Sequence, residues 1–147
     1  MPLVALAILV CTALSGLVIL GAWLTRSEVR RARGRRGRHR RLPPTLVFSH
    51  VGFALAGAAT WVAFTILGRD QVGWASLGLL VVTAMLGATM FIRWIPSYRR
   101  PIHLGVGPGS AHRAPDHSNL PIAVVVTHGI FAVTTAALVI WTVFVAI

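Results

Sequence analysis

The chain has no lysine, and its only acids are Glu28, Asp70 and Asp116. Charged residues make up 12% of it, where an ordinary soluble domain carries about 25%. That excludes a conventional water-soluble fold. Hydrophobic residues make up 56%, which excludes a disordered chain, whose composition is poor in them. One cysteine, Cys11, excludes an internal disulfide, a cysteine-based zinc site and an iron–sulfur cluster within the chain. Cys11 lies in an apolar run and reads as a small hydrophobic filler.

All fourteen basic residues are arginine. With abundant Ala, Val and Gly, this looks like the coding bias of a GC-rich bacterial genome. The arginines also sit between apolar blocks, which changes their meaning from that of a soluble basic protein. A bilayer core of about 30 Å needs roughly 20 apolar residues in a helix. Four segments reach that length: residues 3–24, 45–67, 72–95 and 120–147. They predict an all-α integral membrane domain, a four-helix bundle running up-down-up-down, with little chain left for anything else. The first run begins Met1-Pro2-Leu3, with no basic side chain before it, and is longer than the apolar core of a signal peptide. It reads as a retained span. Pro43-Pro44 and Ser118-Asn119-Leu120-Pro121 are helix-start signals, and Ile95-Pro96 marks an end.

The loop at 25–44 holds Arg26, Arg30, Arg31, Arg33, Arg35, Arg36, Arg38, Arg40 and Arg41. The loop at 96–119 holds Arg99, Arg100 and Arg113, with Arg93 just before it. The positive-inside rule puts both loops in the cytoplasm and both termini outside. The expected location is a bacterial plasma membrane. Trp23, Trp74, Trp94 and Trp141 near span ends fit an interfacial belt, whereas Trp61 lies deeper. The Arg-rich loop is a topology signal that also suits anionic lipid headgroups. No aromatic residue interleaves its arginines to stack on bases, so nucleic acid is not an expected partner.

The second basic loop is rich in Gly and Pro and contains His103, His112, His117 and Asp116. The histidine spacing is near that of zinc ligands but stands alone. Gly105-Val106-Gly107-Pro108-Gly109 follows no strand and lacks the Lys-Ser/Thr ending of a P-loop. A connector is the simpler reading.

No Asp, Glu or Lys interrupts the apolar runs except Asp70 beside the third. Ion-coupled transporters and proton pumps usually need carboxylates in the membrane. Paired repeats and broken helices, the marks of many transporters, are not evident either. No nucleophile–base constellation is present, so the chain is not expected to be an enzyme on its own. Met85 and Met90 are potential soft ligands, although methionine more often fills gaps.

Ionisable residues inside a membrane are the default functional candidates, and two histidines remain, His50 and His128. Both spans start at the same face, so the helices are parallel. At 1.5 Å per residue both imidazoles sit roughly 8–12 Å below that face. The second and fourth helices of an up-down bundle are diagonal partners. Two inward imidazoles at one level can ligate a haem b iron from both sides. Small residues, Ala54 and Gly57, Gly129, Ala132 and Thr135, and Ala84, Gly87 and Ala88, leave room for it. Arg93, Arg99 and Arg100 can pair with propionates. Ser49 and Thr127, or nearby carbonyls, can orient the rings. This architecture is similar in outline to small bacterial b-type membrane cytochromes, which hold haem between histidines of a four-helix bundle. The likeness implies electron transfer with a quinone or a partner membrane protein. The alternative is a cofactor-free accessory, scaffold or assembly protein whose histidines and small residues join helices.

Overall fold

A computed structural model describes residues 1–32, 43–98 and 122–145. They form four helices: α1 (Pro2–Ala32), α2 (Pro44–Leu67), α3 (Asp70–Tyr98) and α4 (Ile122–Val145). Each contains a 24-residue stretch long and apolar enough to cross a membrane. The protein is therefore a multi-pass membrane protein of all-helical fold, by length and composition. Its outer surface is apolar: Leu3, Leu17, Leu55, Ile66, Ile92, Val133 and Phe144 are all exposed. Such a surface is stable against lipid and not against water.

Two helices outrun their hydrophobic segments. α1 continues past Leu24 to Ala32, because arginine, glutamate and alanine are good helix formers and the hydrogen-bond ladder does not stop at the membrane edge. α3 continues through Pro96 to Tyr98. Proline deletes one bond to the carbonyl four residues back, and Ile92, which supplies that carbonyl, lies on an exposed part of the last turns. The turn between α2 and α3 is set by Gly68, whose φ of 61° is left-handed and whose N–H bonds the Phe64 carbonyl at 2.9 Å. A Cβ in that conformation costs about 1–2 kcal/mol. Gly68→Ala is therefore expected to lower stability by about that much, read as the shift in unfolding of the detergent-solubilised protein by a denaturing surfactant.

Neighbouring helices run antiparallel. Ser76 Oγ on α3 donates to the Gly57 carbonyl of α2 at 2.9 Å. Trp23 on α1 meets Phe48 on α2 edge-on at 6.2 Å, while Trp61 further along α2 reaches the Pro2 carbonyl at 3.4 Å. The packing is uneven: α2 lies close on α3 and α1 close on α4, whereas α1 with α2 and α3 with α4 touch over shorter stretches. The bundle is thus two tight helix pairs laid side by side. Its core gathers where α1 begins and α2 and α4 end, around Ala5, Leu9, Trp61, Phe64, Val139 and Val143. Cys11 is exposed on α1 and fills no core space, contrary to the expectation from its apolar run.

Candidate functional site

His50 on α2 and His128 on α4 come together between the two tight pairs. Their ring centroids are 6.4 Å apart and their planes are inclined at 73°. Each imidazole is anchored on its own pair. The His50 Nδ1 lies 3.0 Å from the Thr83 carbonyl oxygen of α3. The His128 Nδ1 lies 3.1 Å from the Thr12 carbonyl oxygen of α1 and 3.1 Å from Ser15 Oγ. A carbonyl oxygen only accepts, so Nδ1 donates its proton in each case. The neutral ring then carries its bare lone pair on Nε2. Among the described residues, neither Nε2 has a hydrogen-bond partner.

Glycines seat the rings. A methyl built on Gly87 of α3 would stand 3.1 Å from His50 Cε1, and one on Gly16 of α1 would stand 3.0 Å from His128 Cε1. Either contact forces a shift. The carbonyl and the glycine belong to one helix face in both halves, as Thr83 with Gly87 and as Thr12 with Gly16.

The two half-sites share a sequence. Thr12-Ala13-x2-Gly16-x6-Trp23 on α1 returns as Thr83-Ala84-x2-Gly87-x6-Trp94 on α3. Pro43-x3-Val47-x-Ser49-His50-x2-Phe53-Ala54-x3-Ala58-Ala59 returns as Pro121-x3-Val125-x-Thr127-His128-x2-Phe131-Ala132-x3-Ala136-Ala137. The hydroxyls of Thr12 and Thr83 even make the same bond, each donating at 2.9 Å to the carbonyl four residues earlier. The hairpin α1–α2 is therefore repeated as α3–α4. Each repeat lends its histidine to the Thr-Gly face of the other. This corrects the expectation that the spans lack paired repeats.

Few of the remaining residues expected at the site meet the rings. Gly87 contributes as the seat of His50, but Gly57 leaves no room beside the rings: a methyl there would stand 2.9 Å from Leu80 Cδ2, so it is a helix contact. Thr135 is buried and bonds Thr12 across α1 and α4 at 2.9 Å. Ala84, Ala88, Gly129, Ser49 and Thr127 are exposed, and the rings are oriented by carbonyls and Ser15 rather than by Ser49 or Thr127. Arg93 is exposed near the Arg-bearing end of α3. Met85 is 66% exposed and turned away from the pair. Arg99, Arg100, His103, His112, Asp116 and His117 lie outside the described residues. Ser15 was missed by sequence reasoning, and its only sequence signal is its place one residue before the repeated glycine.

Among the described residues no group of three or more His, Cys, Asp or Glu gathers. Structural zinc sites usually take four protein ligands and catalytic ones three. A pair of imidazoles would hold a metal only where a cofactor supplied the remaining ligands. The centroid separation of 6.4 Å at 73° is that of an edge-to-face ring pair. Comparison with protein-family models, with curated proteins and with solved structures gives no match.

Proposed function

We propose that the protein is a haem-binding electron-transfer subunit of a membrane, with His50 and His128 as axial ligands of haem b. The observation that carries this reading is the pair of partnerless Nε2 atoms on facing imidazoles 6.4 Å apart between their centroids. The two rings are half-buried between membrane-spanning helices, where a polar atom is best satisfied by a partner, and one shared partner would serve both. Outward Nδ1–H bonds to carbonyls are also how ligating histidines are usually oriented. When bound, haem supplies a one-electron ferric–ferrous couple. The chain itself holds the rings, fixes their protons on Nδ1 and surrounds them with an apolar shell. Arg93, Arg99 and Arg100 are proposed to meet propionates or lipid headgroups. The electron donor or acceptor is proposed to be a quinone or a partner membrane protein.

The same proposal orients the bundle. It runs up-down-up-down, with the two Arg-rich loops in the cytoplasm and both termini outside, in a bacterial plasma membrane with anionic lipid at the first loop. One observation favours a second reading, a cofactor-free accessory protein: each histidine also bonds a neighbouring helix, which by itself holds α2 to α3 and α4 to α1.

The deciding measurement is an absorption spectrum of the detergent-purified protein from cells supplied with haem precursor, oxidised and then dithionite-reduced. A Soret band with sharp reduced α and β bands is the expected result. A flat spectrum from folded, haem-replete protein selects the accessory reading.

A further inference from the structure

Burial in the bundle is one-sided. Apart from Val47, no described residue is buried on α1 after Leu9, on α2 before Gly57, on α3 after Ser76 or on α4 before Thr135. The buried core therefore fills the end where α1 begins and α2 and α4 end. His50 and His128 stand in the other half, where α2 and α4 begin. The interhelical hydrogen bonds are divided as well. The Thr83 and Gly57 carbonyls take bonds within the α2–α3 pair, and Thr12, Ser15 and Thr135 make theirs within the α1–α4 pair. Among the described residues, the one hydrogen bond between the pairs is the 3.4 Å bond from Trp61 Nε1 to the Pro2 carbonyl, at the core end. At the imidazole end the described cross-contacts are between rings, Trp23 with Phe48 at 6.2 Å and His50 with His128 at 6.4 Å.

Lipid tails are as apolar as leucine, so helices in a membrane are held by packing and hydrogen bonds rather than by escape from water. The two pairs are fastened at the core end and nearly unfastened at the other. That is the layout of a hinge, with a rigid body on either side of it. We propose that the helix pairs open like jaws about the core end, with Trp23 and Phe48 as the latch, and that the cleft admits a flat lipid-soluble molecule to the imidazoles. Each pair moves as a unit, because its hydrogen bonds lie within it. That the molecule is haem rests on the reading above, whereas the hinge does not.

The test measures distances between spin labels on the full-length protein in lipid nanodiscs, with Cys11→Ser so that only introduced cysteines are labelled. Ile92→Cys with Ile122→Cys spans the two pairs at the imidazole end. Ile92→Cys with Thr45→Cys lies within one pair at the same end, and Leu3→Cys with Ile66→Cys spans the pairs at the core end. All five sites are exposed. The first combination is expected to show two populations, one short and one long, and the other two a single distance each. Trp23→Ala should raise the long population by about twofold to tenfold, the worth of one aromatic pair. Ser76→Ala, which removes a bond inside a pair, should leave it unchanged. A single population between residues 92 and 122, a ratio that ignores Trp23→Ala, or broadening of all three distances together overturns the hinge. Added haem should collapse the first combination to one population. Haem bound with both populations kept overturns the admitting role. Absence of haem binding overturns the cofactor reading instead and leaves the distances without haem to decide the hinge.

Discussion

His50→Ala and His128→Ala are each expected to lower haem affinity by more than about 100-fold, and by similar factors. Changes in groups that merely orient a metal ligand cost 10–100-fold, and removing the ligand itself must exceed that. Equality follows from the repeat, since each imidazole makes the same kind of carbonyl bond, at 3.0 Å and 3.1 Å, and rests on the same kind of glycine. Stability should respond much less. An interhelical hydrogen bond in a membrane is worth about 0.6 kcal/mol on average; His50→Ala loses the one to Thr83, and His128→Ala loses those to Thr12 and Ser15. The two magnitudes decide between the readings. Haem titration of the purified variants, followed at the Soret band, gives the first quantity, and surfactant unfolding gives the second. A loss of stability without any haem signal in the parent chain would assign the histidines to helix joining.

The spans were legible because the membrane constraint is simple. Every backbone polar group must be satisfied within the segment, so long apolar runs become helices. Residues 45–67 and 72–95 accordingly lie within α2 and α3. The helix ends were less legible, because only the hydrophobicity ends at Leu24, and at Ile95 the one bond that Pro96 deletes does not stop the helix. The pairing of His50 with His128 was legible as depth on parallel helices. Their seats were not. Thr12 and Gly16 are ordinary membrane residues until the fold lays them against a ring that is distant in sequence.

The repeat was hidden for a related reason. Most of its shared positions are Ala, Val and Gly, which any span of this composition supplies. What distinguishes Thr12-Ala13-x2-Gly16 from chance is that Thr83-Ala84-x2-Gly87 performs the same task for the other histidine, at matching distances. Internal repeats in membrane proteins commonly place the binding site at the interface between repeats. Here that interface is the loose seam between the α2–α3 and α1–α4 pairs, and both imidazoles stand in it. The repeat places the histidines of two separate helices side by side. The halves differ in detail, with Ser15 for Leu86 and Thr135 for Gly57.

Gly16→Ala and Gly87→Ala are expected to weaken haem binding by about 10–100-fold each, the range for groups that orient a ligand. The physical reason is space. A methyl at 3.0 Å or 3.1 Å from Cε1 is tighter than an ordinary carbon contact, so the ring must give by a few tenths of an ångström. Binding sites need their groups held within about 0.5 Å, which makes that displacement significant when both rings must meet one iron. The helix itself gains from alanine, by about 1 kcal/mol of intrinsic propensity, so lost affinity should not come with a lost fold. Gly129→Ala is the control, since it adjoins His128 in sequence but has nothing within 4 Å of the added methyl. It should bind haem as the parent chain does. If all three variants bind haem equally, the glycines serve only the close approach of helices, and the imidazoles have freedom that the proposed site cannot allow. If Gly16→Ala and Gly87→Ala weaken binding alike while Gly129→Ala does not, the two halves work as one symmetric clamp, with each repeat setting the position of the other's histidine.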